Sequence, residues 1–228
     1  MKIVRILQHR FRKDYQSVLT EEGKSIKLHT ELAQKHHLVD GMELPESQWE
    51  DILQLNHKKE ALDYCYLLLS YRSRSEKEMM QKLERKKYTR QIIHSVIKEL
   101  KENRLIDDST FAKNLAESKL KHKNWGRAKI ERDLIAHGVS PESAKILLCE
   151  LAEEENKEFV SEDERAYQAL LKRKSQLSSV EPHTRYRRLF EYLLRRGFTY
   201  DTVEKALSRF RRENLLDLDD KETEEDLR

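Results

Sequence analysis

The chain has 228 residues, 37% of them apolar and 38% charged, with a net charge of +3 at pH 7. That balance is poor in apolar and rich in charged residues for a globular domain, which points to an elongated body with much surface for each buried residue. No run of about 18 apolar residues offers a membrane span, the opening MKIVRILQHRFRK lacks the apolar core of a signal peptide, and Cys65 and Cys149 read as buried thiols in a reducing compartment, so a cytoplasmic protein without membrane contact is expected.

Residues 1–44 differ from the rest. Lys2–Ile6, Ser17–Leu19 and Ser25–Leu28 are strand-like, Glu21-Glu22-Gly23-Lys24 is a hairpin turn, and Asp40-Gly41 marks another turn. Thr30 is placed to cap a short helix through His36, giving a small β-containing N-terminal domain. Pro45 opens a linker helix over 45–59 that carries Trp49, Ile52 and Leu53.

Three helical units follow, over 60–106, 107–155 and 156–214, and an acidic, frayed tail over 215–228 closes the chain. In the first, Met79, Leu83, Ile93, Val96, Ile97 and Leu100 recur at three- and four-residue spacing on either side of a polar break, with Ser75 and Thr89 placed as N-caps. Leu83 aligns with Leu134 and Leu193, and Tyr88-Thr89 with Val139-Ser140 and Phe198-Thr199. Gly138 and Gly197 fall where Lys87 does, supplying the left-handed residue that ends a helix. The longer second spacing places an insertion at Ser175–Pro182. The fold expected is therefore mainly α, with three tandem three-helix repeats in an elongated, curved row behind the small N-terminal domain.

Chemistry is hard to place on this chain. Its five glycines are isolated, so no phosphate-binding loop exists, and its histidines are scattered rather than spaced as metal ligands. Asp107-Asp108 is the best paired-carboxylate candidate, and capping the next helix explains it without catalysis. A protein without enzymatic activity, metal or cofactor is expected.

The basic blocks are the better signal. Arg72, Arg74, Lys77, Lys82, Arg85, Lys86, Lys87 and Arg90 crowd the first unit. Lys119, Lys121, Lys123, Arg127, Lys129 and Arg132 crowd the second, and Arg185, Arg187, Arg188, Arg195 and Arg196 the third. A solvated face is the plain account of any one block. Recurrence at equivalent places in all three units would align them into a stripe suited to phosphates or to an acidic protein groove. Aromatics beside them, Trp125 among them, either stack on bases or pack at helix ends.

Ser73-Arg74-Ser75-Glu76-Lys77-Glu78, the joint Leu105-Ile106-Asp107-Asp108 with Phe111-Ala112, and Trp125-Gly126-Arg127-Ala128-Lys129-Ile130 with Gly138 resemble the RecX family of recombinase regulators. The resemblance implies a monomeric cytoplasmic protein that binds the RecA recombinase filament on DNA, modulating and usually inhibiting its ATPase and strand-exchange activity. It implies no catalytic residues. The partner and DNA contacts are expected at Arg72, Arg74, Lys77, Lys123, Trp125, Arg127, Lys129 and Arg132. Two rival readings remain. One is direct binding of single- or double-stranded DNA by each helix–turn–helix pair without RecA, and the other is an adaptor for a different acidic partner.

Overall fold

The computed structural model describes residues 1–158, 161–174, 176 and 180–213, with the side chains of 122, 123 and 153–158 excepted. Half of the 175–182 insertion and all of the 215–228 tail lie outside the described residues. The chain divides into two compact units, Met1–Asp107 and Asp108–Arg228.

In the first unit, β1 (Ile3–Gln8), β2 (Tyr15–Thr20) and β3 (Ser25–His29) form an antiparallel sheet in the order β1-β2-β3. The β2–β3 turn closes with the Gly23 amide on the Thr20 carbonyl at 2.9 Å, and Gly23 takes φ +75°, a conformation cheap only for glycine. Ile3, Val18 and Leu28 on the inner face meet Trp49 and Ile52 in one apolar core. Both outer edges are occupied, that of β1 partly by the backbone of residues 41–43, with the Ile3 amide on the Met42 carbonyl at 2.9 Å and the Gly41 amide on the Ile3 carbonyl at 3.0 Å. On β1 the Ile6 amide donates to Asp40 Oδ1 at 2.7 Å. On β3 the buried Asn56 accepts from the His29 amide and donates to the Lys27 carbonyl, each at 2.9 Å.

The short helix α1 (Thr30–Lys35) is capped by His29, whose Nδ1 accepts from the Glu31 amide, and not by Thr30 as the sequence suggested. The strand runs one residue further than its alternation shows, which makes Thr30 the first helical residue. The linker helix and the first helix of the first repeat form one unbroken helix, α2 (Glu46–Tyr71). With no glycine or proline between Glu46 and Tyr71, nothing in the chain stops it. α3 (Glu76–Arg85) and α4 (Arg90–Glu102) complete the repeat around Ala61, Cys65, Met79, Leu83, Val96 and Leu100.

In the second unit, α5 (Asp108–Lys123), α6 (Arg127–Ala136) and α7 (Pro141–Glu158) bury Ala116, Ile130, Leu134 and Leu151. α8 (Glu162–Lys174), α9 (Pro182–Arg195) and α10 (Tyr200–Arg212) bury Leu170, Leu189, Leu193 and Phe210. Cys149 is exposed, which corrects its reading as a buried thiol. Ala144, Leu148 and Leu151 define the inner face of α7, and a residue next to Leu148 is turned about 100° away from it.

The three repeats share one turn geometry. The amides of Tyr88, Val139 and Phe198 return to the carbonyls of Leu83, Leu134 and Leu193 at 3.3, 3.1 and 3.3 Å, the six-residue closure of a helix C-terminus. Lys87, Gly138 and Gly197 supply the positive φ this closure needs, at 63°, 103° and 82°. The hydroxyls of Thr89, Ser140 and Thr199 then cap the next helix by accepting from the amides of Ile92, Ser143 and Thr202. Ser75, fully buried, caps α3 through the Glu78 amide at 3.2 Å.

Candidate partner-binding surface

Several of the cations singled out in the sequence are engaged within the fold. The Arg72 guanidinium grips Glu78 through two bonds, at 2.9 and 2.6 Å, which ties the end of α2 to the first turn of α3. Arg74 Nε donates to the Leu68 carbonyl, one of the last acceptors of α2. Arg127 Nε sits 3.6 Å from Glu162, and the same carboxylate accepts from the Arg127 amide at 3.0 Å. Gly126 at the N-cap of α6 has no side chain to offer, so a carboxylate from α8 takes that place.

Trp125 is half-buried, with the ammonium groups of Lys119 and Lys129 over its ring at 4.4 and 4.5 Å. Lys119 also pairs with Asp133 at 3.3 Å. Trp125 and Lys129 are thus brought together, but the indole ring is already covered by cations. Arg132 is exposed, and its Nε donates to the Ala128 carbonyl of its own helix. Lys77 is exposed and makes no ion pair among the described residues. The side chain of Lys123 lies outside the described residues.

The exposed cations left over lie on several helices and one turn. Lys77 and Arg85 are on α3, with Lys87 and Arg90 following it, Arg132 is on α6, and Arg187 and Arg188 are on α9. No repeat position is basic in all three units, which narrows the idea of recurrence: in the common register Arg127 falls where the first repeat has Glu76, and Lys129 and Arg188 where it has Glu78. Lys77 and Arg187 share one position, as do Arg85 and Arg195, and the second repeat has alanine at both. Apart from Lys77 and Arg132, the exposed cations were visible in the sequence only as members of the blocks. Their distinction is the lack of a carboxylate partner.

The second and third repeats meet at a joint that spacing gave no sign of. The Gly126 amide donates to the Arg196 carbonyl at 2.9 Å, and a Cβ on Gly126 would lie 2.1 Å from the Gly197 oxygen. Further out, Glu164 accepts from Gln168 at 2.8 Å and from Arg209 at 2.5 Å, which hold its carboxyl below the usual range. In the first unit, burial and a 2.7 Å bond to Asp63 push the Tyr15 phenol well above its ordinary value. Burial pushes the Cys65 thiol up to about 12.

Among the described residues no cluster of three or more His, Cys, Asp or Glu side chains is placed to hold a metal, and no helix is long and apolar enough to cross a membrane.

Three three-helix units, each closed by the same turn and cap, define a helical-repeat scaffold in which the small sheet and the short helix α1 are the only other elements among the described residues. Models of the first, second and third three-helix domains of RecX match residues 61–100, 107–148 and 161–207. Over 152 residues the chain is 33% identical to the regulatory protein RecX of Chlorobium limicola, a match spanning 67% of this chain and 90% of that one. Against RecX of Finegoldia magna it is 26% identical over 203 residues, 89% of this chain and 97% of the other. A crystal structure of a regulatory protein RecX shares the fold at a TM-score of 0.62 and 21% identity, over 91% of this chain and 98% of that one. The chain belongs to the RecX family of regulatory proteins.

Proposed function

We propose that this protein binds the RecA recombinase filament on DNA and restrains its ATPase and strand-exchange activity, acting by occupancy and not by chemistry of its own. Family membership supports a regulatory role. The observation that carries the finer reading is the set of exposed cations without ion pairs, Lys77, Arg85, Lys87, Arg90, Arg187 and Arg188, spread over separate repeats. A filament is a polymer of identical subunits wrapped on a polyanion. Repeated basic modules engage neighbouring subunits, and each contact after the first forms at high effective concentration.

The structure changes which residues should be tested. Arg127→Glu would set a second carboxylate beside Glu162 and loosen the α6 start, so its loss of activity would report on folding. Lys77→Glu with Arg132→Glu avoids this, because both side chains are exposed and neither has an ion-pair partner among the described residues. Losing two contacts at the rim of an interface should raise the concentration needed to inhibit RecA ATPase on single-stranded DNA about tenfold. Undiminished inhibition by the folded double variant would remove this surface from the account. Tight binding to naked duplex DNA by the wild type, unchanged when RecA is added, would favour direct DNA binding by the repeats instead.

A further inference from the structure

The N-terminal unit contains an open groove of about 660 Å³ between the sheet, α2 and the α3–α4 turn. We infer that this groove is a binding site for single-stranded nucleic acid, a contact of the N-terminal domain that goes beyond the filament reading and does not depend on it.

The floor is one face of α2. Glu60, Asp63, Tyr64, Leu67 and Ser70 recur every three or four residues and so lie in a row. Such a face should be polar if it only met water, yet Leu67 is 52% exposed, and Tyr66 beside it 43%. One wall is the β1–β2 connection, which Arg12 pins against α2 by reaching Asp63 at 3.4 Å. At its tip Phe11 stands 81% exposed, the most open large apolar side chain among the described residues. The other wall is the α3–α4 turn, through Lys86 and Tyr88.

The charges sort themselves by depth. On the floor, Glu60 is paired with Lys27 at 2.7 Å, and Asp63 with Arg12 and the Tyr15 hydroxyl. Higher up, Lys86 lines one wall and Asp14 the other, and their chain neighbours Arg85 and Lys87, and Arg10 and Lys13, are exposed and have no ion pair among the described residues. Cations therefore outnumber Asp14 along the two walls, and although Arg10 lies over Phe11 at 5.3 Å, that ring remains largely exposed, as Tyr66 is in part. A single strand supplies the complement, with phosphates for these cations and unpaired bases for Phe11 and Tyr66. A duplex hides those bases in its stack. An acidic peptide would satisfy the cations and leave the rings uncovered.

Anisotropy of a labelled oligothymidylate titrated with the full chain tests this without RecA present. Phe11→Ala should weaken binding about tenfold, the cost of one lost stacking partner. Lys86→Glu should weaken it and flatten the dependence of log affinity on log salt by about one to two. Lys145→Gln, at an exposed position of α7, should leave this affinity unchanged, and inhibition of RecA ATPase is read apart from it, so failure here and failure of the filament reading remain separable. Wild-type affinity in folded Phe11→Ala and Lys86→Glu variants would overturn the inference. So would an abasic strand that binds as well as oligothymidylate. Equal competition by polyglutamate would also overturn it, and would assign the groove to an acidic protein segment.

Discussion

Replacing Gly126 with alanine isolates the joint between the second and third repeats from every other source of stability. The residue sits at φ −74°, ψ 158°, which any amino acid adopts, so the substitution adds no backbone strain. What it adds is a methyl group 2.1 Å from the Gly197 oxygen, 2.2 Å from its carbonyl carbon and 2.4 Å from the Phe198 nitrogen. Real Cβ atoms do not approach closer than 3.0 Å, and the obstruction is backbone, so no rotamer change relieves it. The α9–α10 turn must move by about an ångström from the α6 start, at a cost of about 1–3 kcal/mol for overpacking. The movement also weakens the 2.9 Å bond from the Gly126 amide to the Arg196 carbonyl, about 1 kcal/mol more. The stiffer unfolded chain returns about 0.5 kcal/mol. The net is about 2–3 kcal/mol, or about 8–12 °C in the midpoint of a unit of this length. Calorimetry should show the loss in the transition of the second unit. Gly23→Ala is the comparison: it has positive φ but nothing within 4 Å of a new Cβ, and should cost only about 1 kcal/mol of left-handed strain. If Gly126→Ala melted no lower than Gly23→Ala, the joint would not be holding the repeats together.

Two further outcomes are expected. A thiol reagent at mildly alkaline pH should modify one cysteine per native chain: Cys149 is exposed, while Cys65 is buried with its thiol raised to about 12 and should react only on unfolding. Two rapid thiols in the native state, or none in native Cys149→Ser together with none after denaturation, would contradict this. The Glu164 carboxyl is held below its ordinary value of 4.5 when folded, so the folded state binds fewer protons than the unfolded one. Its contribution is complete above the unfolded value and disappears as pH falls through the folded one. Thermal midpoints measured from about pH 5 down to about pH 3 should therefore fall more steeply for wild type than for Glu164→Gln, and parallel curves would argue against the Gln168–Glu164–Arg209 contacts.

The repeat register was legible because it rests on local physics. Leu83, Leu134 and Leu193 announce themselves by three- and four-residue spacing, and Thr89, Ser140 and Thr199 by the chemistry of a helix cap. Lys87 hid one of the three left-handed turns, since only its neighbours betray a conformation that lysine rarely takes. The candidate surface was far less legible. Nothing within a few residues of Arg127 reveals that Glu162 will meet it, and a charge run looks the same whether or not its members are paired. Gly126 and Gly197 are distant in sequence, and steric fit between two backbones leaves no pattern in either stretch. Cys149 was misplaced by one position, enough on a helix to carry it from core to solvent.

The side chains of Asp40 and Asn56 carry a consequence for how copies of this protein meet. A three-stranded sheet has two rims of unsatisfied amides and carbonyls, and such rims invite strands from other molecules. Here the backbone of residues 41–43 and the Asp40 carboxylate cover one rim, and the Asn56 carboxamide alone stoppers the other. Removing the carboxamide with Asn56→Leu should make the chain self-associate by strand addition, with light scattering rising before any helix melts.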